Sequence, residues 1–432
     1  MATDDKARGD TEDELNPDSN DNAGQDDEAE NDPENDSASD ADDASLLPSL
    51  DNEKQSSALL KLLNEAGARG VLAAKPAELG LADHAPFPFL AMVGQLEMRT
   101  ALMLAVINPA VGGVLLIGPR GTGKTTAVRS LADLLPEIEV STCEEGAFPE
   151  DMGHPRAEFM YPDCYKKYRA GQPISRYERS KLVELPLNAT LEDVVGGANQ
   201  RILQQQNRVK LERGIMGRAD RNLLYVDEVN LLDDQIVDAI LDAAAMGSYV
   251  VRRGPMAGTY RSRFVLIGSM NPEEGRLRPQ IMDRFGLRVN VRGLTSSEDR
   301  HRIYSRVRAY RMNPAGFVKN WEQHTEEARV DIIKARDLLR ETIINPDAID
   351  SGLRLINAVG IDSHRAEYTM FEAARAYAAS DGRTAVTVDD VRVVAPLALR
   401  QRRSEFMVNY FEQSAEEDRN ILEQFDALRK DS

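Results

Sequence analysis

Short apolar runs bounded by glycine, polar or acidic residues recur in the middle of the chain, at 113–117, 223–226 and 263–269. Runs of this length without polar alternation are typical of strands that are buried on both faces of a parallel sheet. The periodic segments between them predict helices, one from Leu96 to Ile107 and one from Lys124 to Leu135. This alternation predicts an α/β fold with a parallel sheet flanked by helices.

Three further segments have less regular patterns. Glu137–Val140 predicts a second strand, and 143–185 is long, polar and rich in proline. We interpret 143–185 as an irregular connection with a functional role, because long structureless connections are uncommon in compact domains. Residues 250–260 predict a β-hairpin with a Gly-Pro turn. The arginines that make it basic suit either a protected sheet edge or a contact with a partner, and they are Arg252, Arg253 and Arg261.

Charge is distributed very unevenly along the 432 residues. Residues 1–50 contain 18 Asp or Glu and 2 Lys or Arg, which gives −16 of the formal net charge of −19 and leaves −3 for residues 51–432. A segment so acidic and so poor in apolar residues predicts a disordered tail, which either solubilises the protein or docks a basic partner. Residues 51–86 predict a short helix, at 54–66, followed by a linker.

Several classes of protein are disfavoured by what the sequence lacks. No run approaches the roughly 18 apolar residues of a membrane-spanning helix, and no apolar core of a secretion signal is present. Two cysteines are too few for a disulfide framework or a zinc site. The nearly neutral body lacks the positive field that nucleic-acid binding needs, and Tyr165-Lys-Lys-Tyr168 is the only hint of such a surface. We therefore expect a soluble, cytoplasmic protein without a membrane span.

A phosphate-binding pattern follows the first predicted strand. Gly118-Pro-Arg-Gly-Thr-Gly-Lys-Thr125 matches G-x-x-x-x-G-K-[ST] and leads directly into a predicted helix. The glycines let backbone N–H groups converge on an anion, and the helix N-terminus adds its positive dipole end. We expect Lys124 to reach the β- and γ-phosphates of ATP and the Thr125 hydroxyl to hold Mg²⁺. The predicted ATP-binding residues are Gly118, Pro119, Arg120, Gly121, Thr122, Gly123, Lys124, Thr125 and Thr126.

Two carboxylates end the second apolar run, in Leu223-Leu-Tyr-Val-Asp-Glu228. In open α/β sheets the carboxyl ends of the strands face the ligand crevice, so both side chains are expected near the phosphate loop. We expect Asp227 to bind Mg²⁺ together with Thr125, and Glu228 to orient and polarise the attacking water. The pair of motifs therefore predicts hydrolysis of the nucleotide and not only its binding.

The third apolar run ends at Asn271. An amide at the tip of a strand that lies between the two motif strands could hydrogen-bond the γ-phosphate or the attacking water. Farther along, Arg284 directly follows an acidic residue at the end of a predicted helix. Alone, such an arginine is more often a surface ion-pair residue. Because the other motifs are also present, we interpret Arg284 as the arginine finger that a subunit of a ring-forming ATPase places against the γ-phosphate bound by its neighbour.

The order and spacing of these motifs resemble the AAA+ superfamily and, more closely, the ATPase I subunit of magnesium chelatase, in its chelatase/MoxR-like branch. The resemblance runs from about Phe87 to about Arg403, and its most specific segments are Asn271-Pro-Glu-Glu-Gly275 and Leu277-Arg-Pro-Gln280. It implies an α/β nucleotide-binding domain and a C-terminal helical lid, and the chain departs from the family where it continues past the usual end in a further predicted helix. The implied ranges are 87–296 with insertions near 186–216 and 248–260, then 297–405 and 406–432.

This resemblance implies a motor subunit that forms a ring, typically a hexamer, and uses ATP and Mg²⁺. Such subunits couple ATP hydrolysis to the insertion of Mg²⁺ into protoporphyrin IX, on the way to chlorophyll or bacteriochlorophyll. A second AAA+ subunit, the D component of the chelatase, would join the ring, and a large H component would hold the porphyrin. The family positions map onto Lys124, Thr125, Asp227, Glu228, Asn271 as first sensor, Arg284 as finger and Arg365 as second sensor, with a solvated arginine at a helix start as the less favoured alternative for Arg365.

One segment departs from the family pattern, since Thr190-Leu-Glu-Asp193 is followed by Val194 where the family usually has Thr-Glu-Asp-Arg. The departure lies in the insertion that the family places near the ring pore, so it bears on partner contacts and not on hydrolysis. Two other functions stay open at this stage. One is a MoxR-like AAA+ chaperone that remodels or matures a protein complex, and the other, disfavoured by charge, is a nucleic-acid motor.

Overall fold

The computed structural model of the chain describes residues 86–143, 146–197, 211–253, 256–403 and 405–430. The predicted acidic tail at 1–50 and the predicted helix at 54–66 lie outside the described residues. Within the described ranges, no helix combines the length and the apolar composition that crossing a membrane requires.

Five short strands form the central sheet, and every neighbouring pair in it is parallel. Numbered by position in the chain and given in their order across the sheet, they are β4 (Leu182–Leu185), β5 (Leu223–Val226), β8 (Val265–Met270), β1 (Val114–Ile117) and β9 (Leu287–Asn290). Strand β1 precedes the phosphate loop, β5 precedes Asp227, and β8 lies between them and ends directly before Asn271. The predicted placement of the asparagine-tipped strand between the two motif strands is confirmed.

The apolar runs are continuous because both faces of the sheet are covered. Along β1, Val114 and Leu116 belong to a core shared with the C-terminal helices, whereas Leu115 and Ile117 belong to a second core on the opposite face. Strand β5 alternates between the same two cores. A strand buried in this way has no position that favours a polar side chain, which is the origin of the unbroken hydrophobic pattern.

Helices flank the sheet and begin or end close to the predicted positions. Helix α1 has the predicted bounds, and α2 ends at Leu131, after which Ala132–Leu134 forms a 3-10 turn before Pro136. The described helices that precede residue 297 are α1 (Leu96–Ile107), α2 (Lys124–Leu131), α3 (Ala157–Met160), α4 (Pro162–Arg169), α5 (Leu191–Val195), α6 (Ile215–Arg218), α7 (Asp234–Met246) and α8 (Pro279–Arg284).

Residues 143–185 are not the irregular connection that the sequence suggested. Strand β2 (Glu137–Ser141) pairs antiparallel with β3 (Ser175–Arg179) in a separate two-stranded sheet, and β4 is an edge strand of the central sheet. The prediction was wrong because β4 has four residues and helices α3 and α4 have four and eight, so none is long enough to show a clear period.

The pairing of the two arms of the hairpin predicted at 250–260 is confirmed, and its predicted Gly-Pro turn lies outside the described residues. Strand β6 (Ser248–Arg253) pairs antiparallel with β7 (Met256–Arg261), in a register that places Ser248 opposite Arg261. Val251 is buried. The hairpin forms a sheet of its own and does not extend the central one.

The predicted lid range contains five helices and a two-stranded parallel ribbon. Helix α12 starts after Ser363, whose side chain accepts a hydrogen bond from the backbone N–H of Ala366. The buried alanines of α12 belong to the same apolar core as β1, so the lid packs directly against the sheet. The elements are α9 (Ser297–Met312), α10 (Pro314–Leu338), β10 (Ile343–Ile344), α11 (Pro346–Val359), α12 (His364–Ser380), β11 (Ala385–Val386) and α13 (Val388–Leu399), followed by α14 (Glu405–Lys430).

Candidate nucleotide-binding and hydrolysis site

The phosphate loop between β1 and α2 has a backbone that only glycine adopts without strain at two positions. Gly121 and Gly123 have φ angles of +79° and +88°, and α2 begins at the next residue, Lys124. A third glycine is required by packing, since a Cβ atom on Gly118 would lie 2.0 Å from the carbonyl oxygen of Val291. The loop can therefore turn its backbone N–H groups toward the start of α2, where anions bind.

The ammonium group of Lys124 lies across the mouth of this loop. Its Nζ donates hydrogen bonds to the carbonyl oxygens of Gly118 and Pro119, at 2.6 and 2.8 Å. Burial lowers the pKa of Lys124 from its usual value, and the carboxylates of Asp227, Glu274 and Glu228 oppose that change. Lys124 is therefore a cation held among carbonyls and carboxylates at the place where phosphate oxygens would bind.

Asp227, at the end of β5, is held by three hydroxyl groups. The Tyr225 hydroxyl donates to Asp227 Oδ1 at 2.7 Å, and the Ser269 hydroxyl donates to the same oxygen. The Thr125 hydroxyl donates to Oδ2 at 3.4 Å, which brings the end of β5 and the start of α2 together. Burial raises the pKa of Tyr225 well above its usual value, so its phenol stays a donor. Asp227 is thus fixed in one orientation beside Thr125.

Glu228 is oriented by its own backbone. Its φ of +50° is in the left-handed region, which is unusual for a residue with a side chain, and its N–H donates to the Ser269 hydroxyl at 3.1 Å. Its Oε1 lies 3.3 Å from Nη2 of Arg120 in the phosphate loop. Strain of this kind is common where the surrounding structure fixes a functional side chain.

Asn271 begins a tight turn at the tip of β8. The N–H of Glu274 donates to the Asn271 carbonyl oxygen at 3.1 Å and closes the turn. The side-chain amide of Asn230, just after Glu228, donates to the same oxygen at 3.4 Å and to the carbonyl of Gly275 at 3.5 Å. Asn271 itself is buried, so its amide has a fixed place between β1 and β5.

These groups surround one cavity of about 350 Å³, a size common among small-molecule sites. The oxygens of Thr125 and Asp227 are the hard ligands that Mg²⁺ prefers. Of the predicted site residues, Gly118 and Pro119 are not part of the lining. Their carbonyl oxygens instead accept hydrogen bonds from the Lys124 ammonium. The lining residues are Arg120, Gly121, Thr122, Gly123, Lys124, Thr125, Thr126, Asp227, Glu228, Ser269, Met270 and Asn271.

Two further predicted residues, Arg284 and Arg365, are also absent from the cavity lining. Arg284, at the end of α8, has its Nη1 2.7 Å from Asp242 Oδ1 and 3.2 Å from Asp238 Oδ1, both on α7. Arg365, at the start of α12, donates to the carbonyl oxygen of Asp283 at 3.4 Å. Arg365 therefore contacts the helix that carries Arg284, and the structure brings neither arginine into the group of side chains around the phosphate loop of the same chain.

Sequence reasoning missed four residues that shape the site, Tyr225, Ser269, Asn230 and Glu274. Tyr225 and Ser269 lie inside predicted strands, where the apolar pattern assigns them to the core. Asn230 and Glu274 follow the ends of strands β5 and β8. Asn230 contacts residues 41 and 45 positions farther along the chain, and Glu274 contacts Arg120, which is more distant still. The one signal that could have found them is their place within a few residues of a predicted catalytic strand end.

Comparisons with known proteins agree on the family. A family model described as the AAA lid domain matches residues 354–424. The magnesium-chelatase subunit ChlI homolog of Methanocaldococcus jannaschii is 43% identical over 347 residues, which are 77% of this chain and 93% of that protein. The magnesium-chelatase 38 kDa subunit of Acidiphilium rubrum is 41% identical over 317 residues, which are 73% of this chain and 90% of that protein.

The chain belongs to the magnesium chelatase ChlI subunit family. The resemblance inferred from the sequence motifs is thereby confirmed, together with the AAA+ α/β fold and its helical lid. Among solved structures, one match is a chain of the complex between subunits BchI and BchD of magnesium chelatase, which is based on a single-particle cryo-EM reconstruction. The two sequences are 39% identical, and the match covers 76% of this chain and 99% of that chain, with a TM-score of 0.42. As a ChlI family member, the chain is an AAA+ ATPase subunit of the magnesium chelatase type.

Proposed function

We propose that this chain is the ATP-hydrolysing motor subunit of a magnesium chelatase, which couples ATP hydrolysis to the insertion of Mg²⁺ into protoporphyrin IX in chlorophyll or bacteriochlorophyll biosynthesis. The observation that carries the proposal is the cavity in which Lys124, Thr125, Asp227, Glu228 and Asn271 meet. It lies in a chain that is 41% identical to a magnesium-chelatase 38 kDa subunit.

The predicted motif residues each have a proposed task in hydrolysis. Residues Gly118 to Thr126 hold the phosphates of ATP through backbone N–H groups and the Lys124 ammonium. Thr125 and Asp227 would hold Mg²⁺, which neutralises phosphate charge when it is bound. Glu228 takes a proton from the attacking water, since its carboxylate lines the cavity beside the phosphate loop. Asn271 orients the same water or the γ-phosphate.

The location of the two arginines supports a ring. Because Arg284 is tied to α7 and does not line the cavity of its own chain, it is suited to act on the γ-phosphate of a neighbouring copy. We propose a homo-oligomeric ring, of the hexameric kind typical of the family, with Arg365 as a second sensor in the lid. We further propose that the AAA+ D component joins the ring in the cytoplasm. ATP hydrolysis by the ring would then drive metal insertion at the porphyrin-binding H component.

The test is reconstitution of the full chain with candidate D and H components, protoporphyrin IX and Mg²⁺. The fluorescence of Mg-protoporphyrin should rise with ATP and stay at the background without it. A matched mixture in which Glu228→Gln replaces the wild-type chain should bind nucleotide and form no product. Vigorous ATP hydrolysis without metalation, with any chelatase components supplied, would contradict the proposal and favour a MoxR-like remodelling function.

A further inference from the structure

Arg120, in the phosphate loop, bridges two carboxylates that come from different strand ends. Its Nη2 lies 3.3 Å from Glu228 Oε1 and 2.5 Å from Glu274 Oε1. The Arg120 side chain is 71% exposed, so packing restrains it little and these ion pairs determine its direction. A guanidinium has five N–H donors in a rigid plane, which allows it to hold two carboxylates at once and still present donors to the cavity.

Glu274 is much better fixed than the arginine that it holds. It closes the turn at the tip of β8 through its own N–H, and Asn230 ties both ends of that turn. Its side chain is 19% exposed. The direction of control therefore runs from Glu274, which is rigid, to Arg120, which is not.

The second carboxylate oxygen of Glu274 gives an independent indication. Glu274 Oε2 is buried and has no hydrogen-bond partner among the described residues. A buried carboxylate oxygen without a donor is unfavourable for folding, because the desolvation of that oxygen is not compensated by a hydrogen bond. A residue retained only for stability would not be expected to carry that penalty, and such exceptions call for an explanation other than stability.

We propose that Glu274 is a positioning residue for ATP hydrolysis, which acts through Arg120 to orient Glu228. Glu274 Oε1 anchors Nη2 of the guanidinium, and the same nitrogen holds Oε1 of Glu228 beside the phosphate loop. Glu274 is not itself a lining residue of the cavity, and Arg120 is the lining residue with which its carboxylate forms an ion pair. This inference rests on the proposed ATP hydrolysis at this site.

The experiment is a double-mutant cycle on the full chain with Glu274→Gln, Arg120→Ala and the two combined. For each protein, kcat and KM for ATP, the affinity for a fluorescent ADP analogue and the thermal unfolding midpoint without nucleotide are measured. Glu274→Gln should lower kcat about fivefold, the size expected when a partly exposed ion pair is lost, and change ADP affinity less than twofold. In the Arg120→Ala background, the same substitution should have no further effect on kcat.

Glu273 supplies the matched control, because it is the next residue on the same turn and its carboxylate instead accepts from the side-chain amide of Asn271 at 3.4 Å. The effect of Glu273→Gln on kcat, whatever its size, should therefore be the same with and without Arg120. If Glu274→Gln fails to fold, Glu274→Asp replaces it, since a shorter side chain withdraws the carboxylate from Arg120 and keeps the charge.

Two results would overturn the inference. One is an effect of Glu274→Gln that is fully retained in the Arg120→Ala background, and the other is a wild-type kcat for the single variant. Failure of the proposed function would look different. A wild-type chain without ATPase activity, or one whose activity survives Lys124→Ala, would remove both the hydrolytic function and this inference.

Discussion

Arg402, between α13 and α14, ties the end of the lid to the helix that carries Arg284. Its side chain is fully buried, with 0% exposure. It donates to the carbonyl oxygens of Ala398 at 2.7 Å, Asp283 at 3.2 Å, Phe285 at 3.0 Å and Gly286 at 2.9 Å, and to Asp283 Oδ1 at 2.5 Å. Substitution by methionine keeps most of the length of the side chain and removes every donor.

The expected loss follows from the groups that are left without a partner. Four carbonyl oxygens lose a donor, at about 1 kcal/mol each, whereas the Asp283 carboxylate is 42% exposed and can turn to water. Burial lowers the pKa of Arg402, which means that holding this charge in the folded chain is unfavourable. Methionine removes that unfavourable contribution, which offsets part of the loss. We therefore expect Arg402→Met to lower the free energy of unfolding by about 3 kcal/mol, below the roughly 5 kcal/mol upper range for breaking a buried ion pair.

Urea-induced unfolding measures this loss, with the fluorescence of Trp321 as the signal. Trp321 is the single tryptophan of the chain and is buried in α10 of the lid. The control is Arg403→Met, one residue farther along and exposed, which should stay within about 0.5 kcal/mol of the wild type. If the two variants unfold at the same urea concentration with the same slope, the buried arginine does not secure the lid and the reasoning fails.

Three further predictions concern catalysis and pH. Glu228→Gln should keep the affinity for nucleotide and lose turnover by about 10²–10⁴-fold, whereas Lys124→Ala should lose both; an unchanged rate for Glu228→Gln in a steady-state ATPase assay would remove it as the base. Mixing Arg284→Ala with Lys124→Ala subunits should restore measurable hydrolysis, because an arginine finger is worth about 10³–10⁵ in rate; a mixture that assembles into rings, as judged by size-exclusion chromatography, and stays inactive would exclude a finger acting between subunits. Burial raises the pKa of Asp220 above its ordinary 3.8, so the stability that this group contributes is present in acid and is lost as the pH rises through the folded pKa. Asp220→Asn should therefore unfold at higher urea than the wild type at pH 7 and lose that advantage below about pH 4, and an advantage that is independent of pH would contradict the assignment.

The sequence alone determined the elements whose signals are local. The phosphate loop is recognisable because Gly121 and Gly123 are needed for a backbone that other residues adopt only with strain. All the residues of this motif lie within eight consecutive positions. Strands β1, β5 and β8 are recognisable because both of their faces are buried. Their order in the sheet follows from the chemistry of their ends, since a nucleotide site needs Lys124, Asp227 and Asn271 side by side.

The tertiary structure alone decided which side chains set the geometry of the site and of the lid. Arg120 meets Glu228 across 108 residues of sequence, and Arg402 meets Asp283 across 119. Strand β4 joins the sheet as its edge although its four residues carry no readable period. A charged residue in a sequence predicts a solvated surface by default, because the energy of burying it depends on partners that only the folded chain brings within hydrogen-bonding distance.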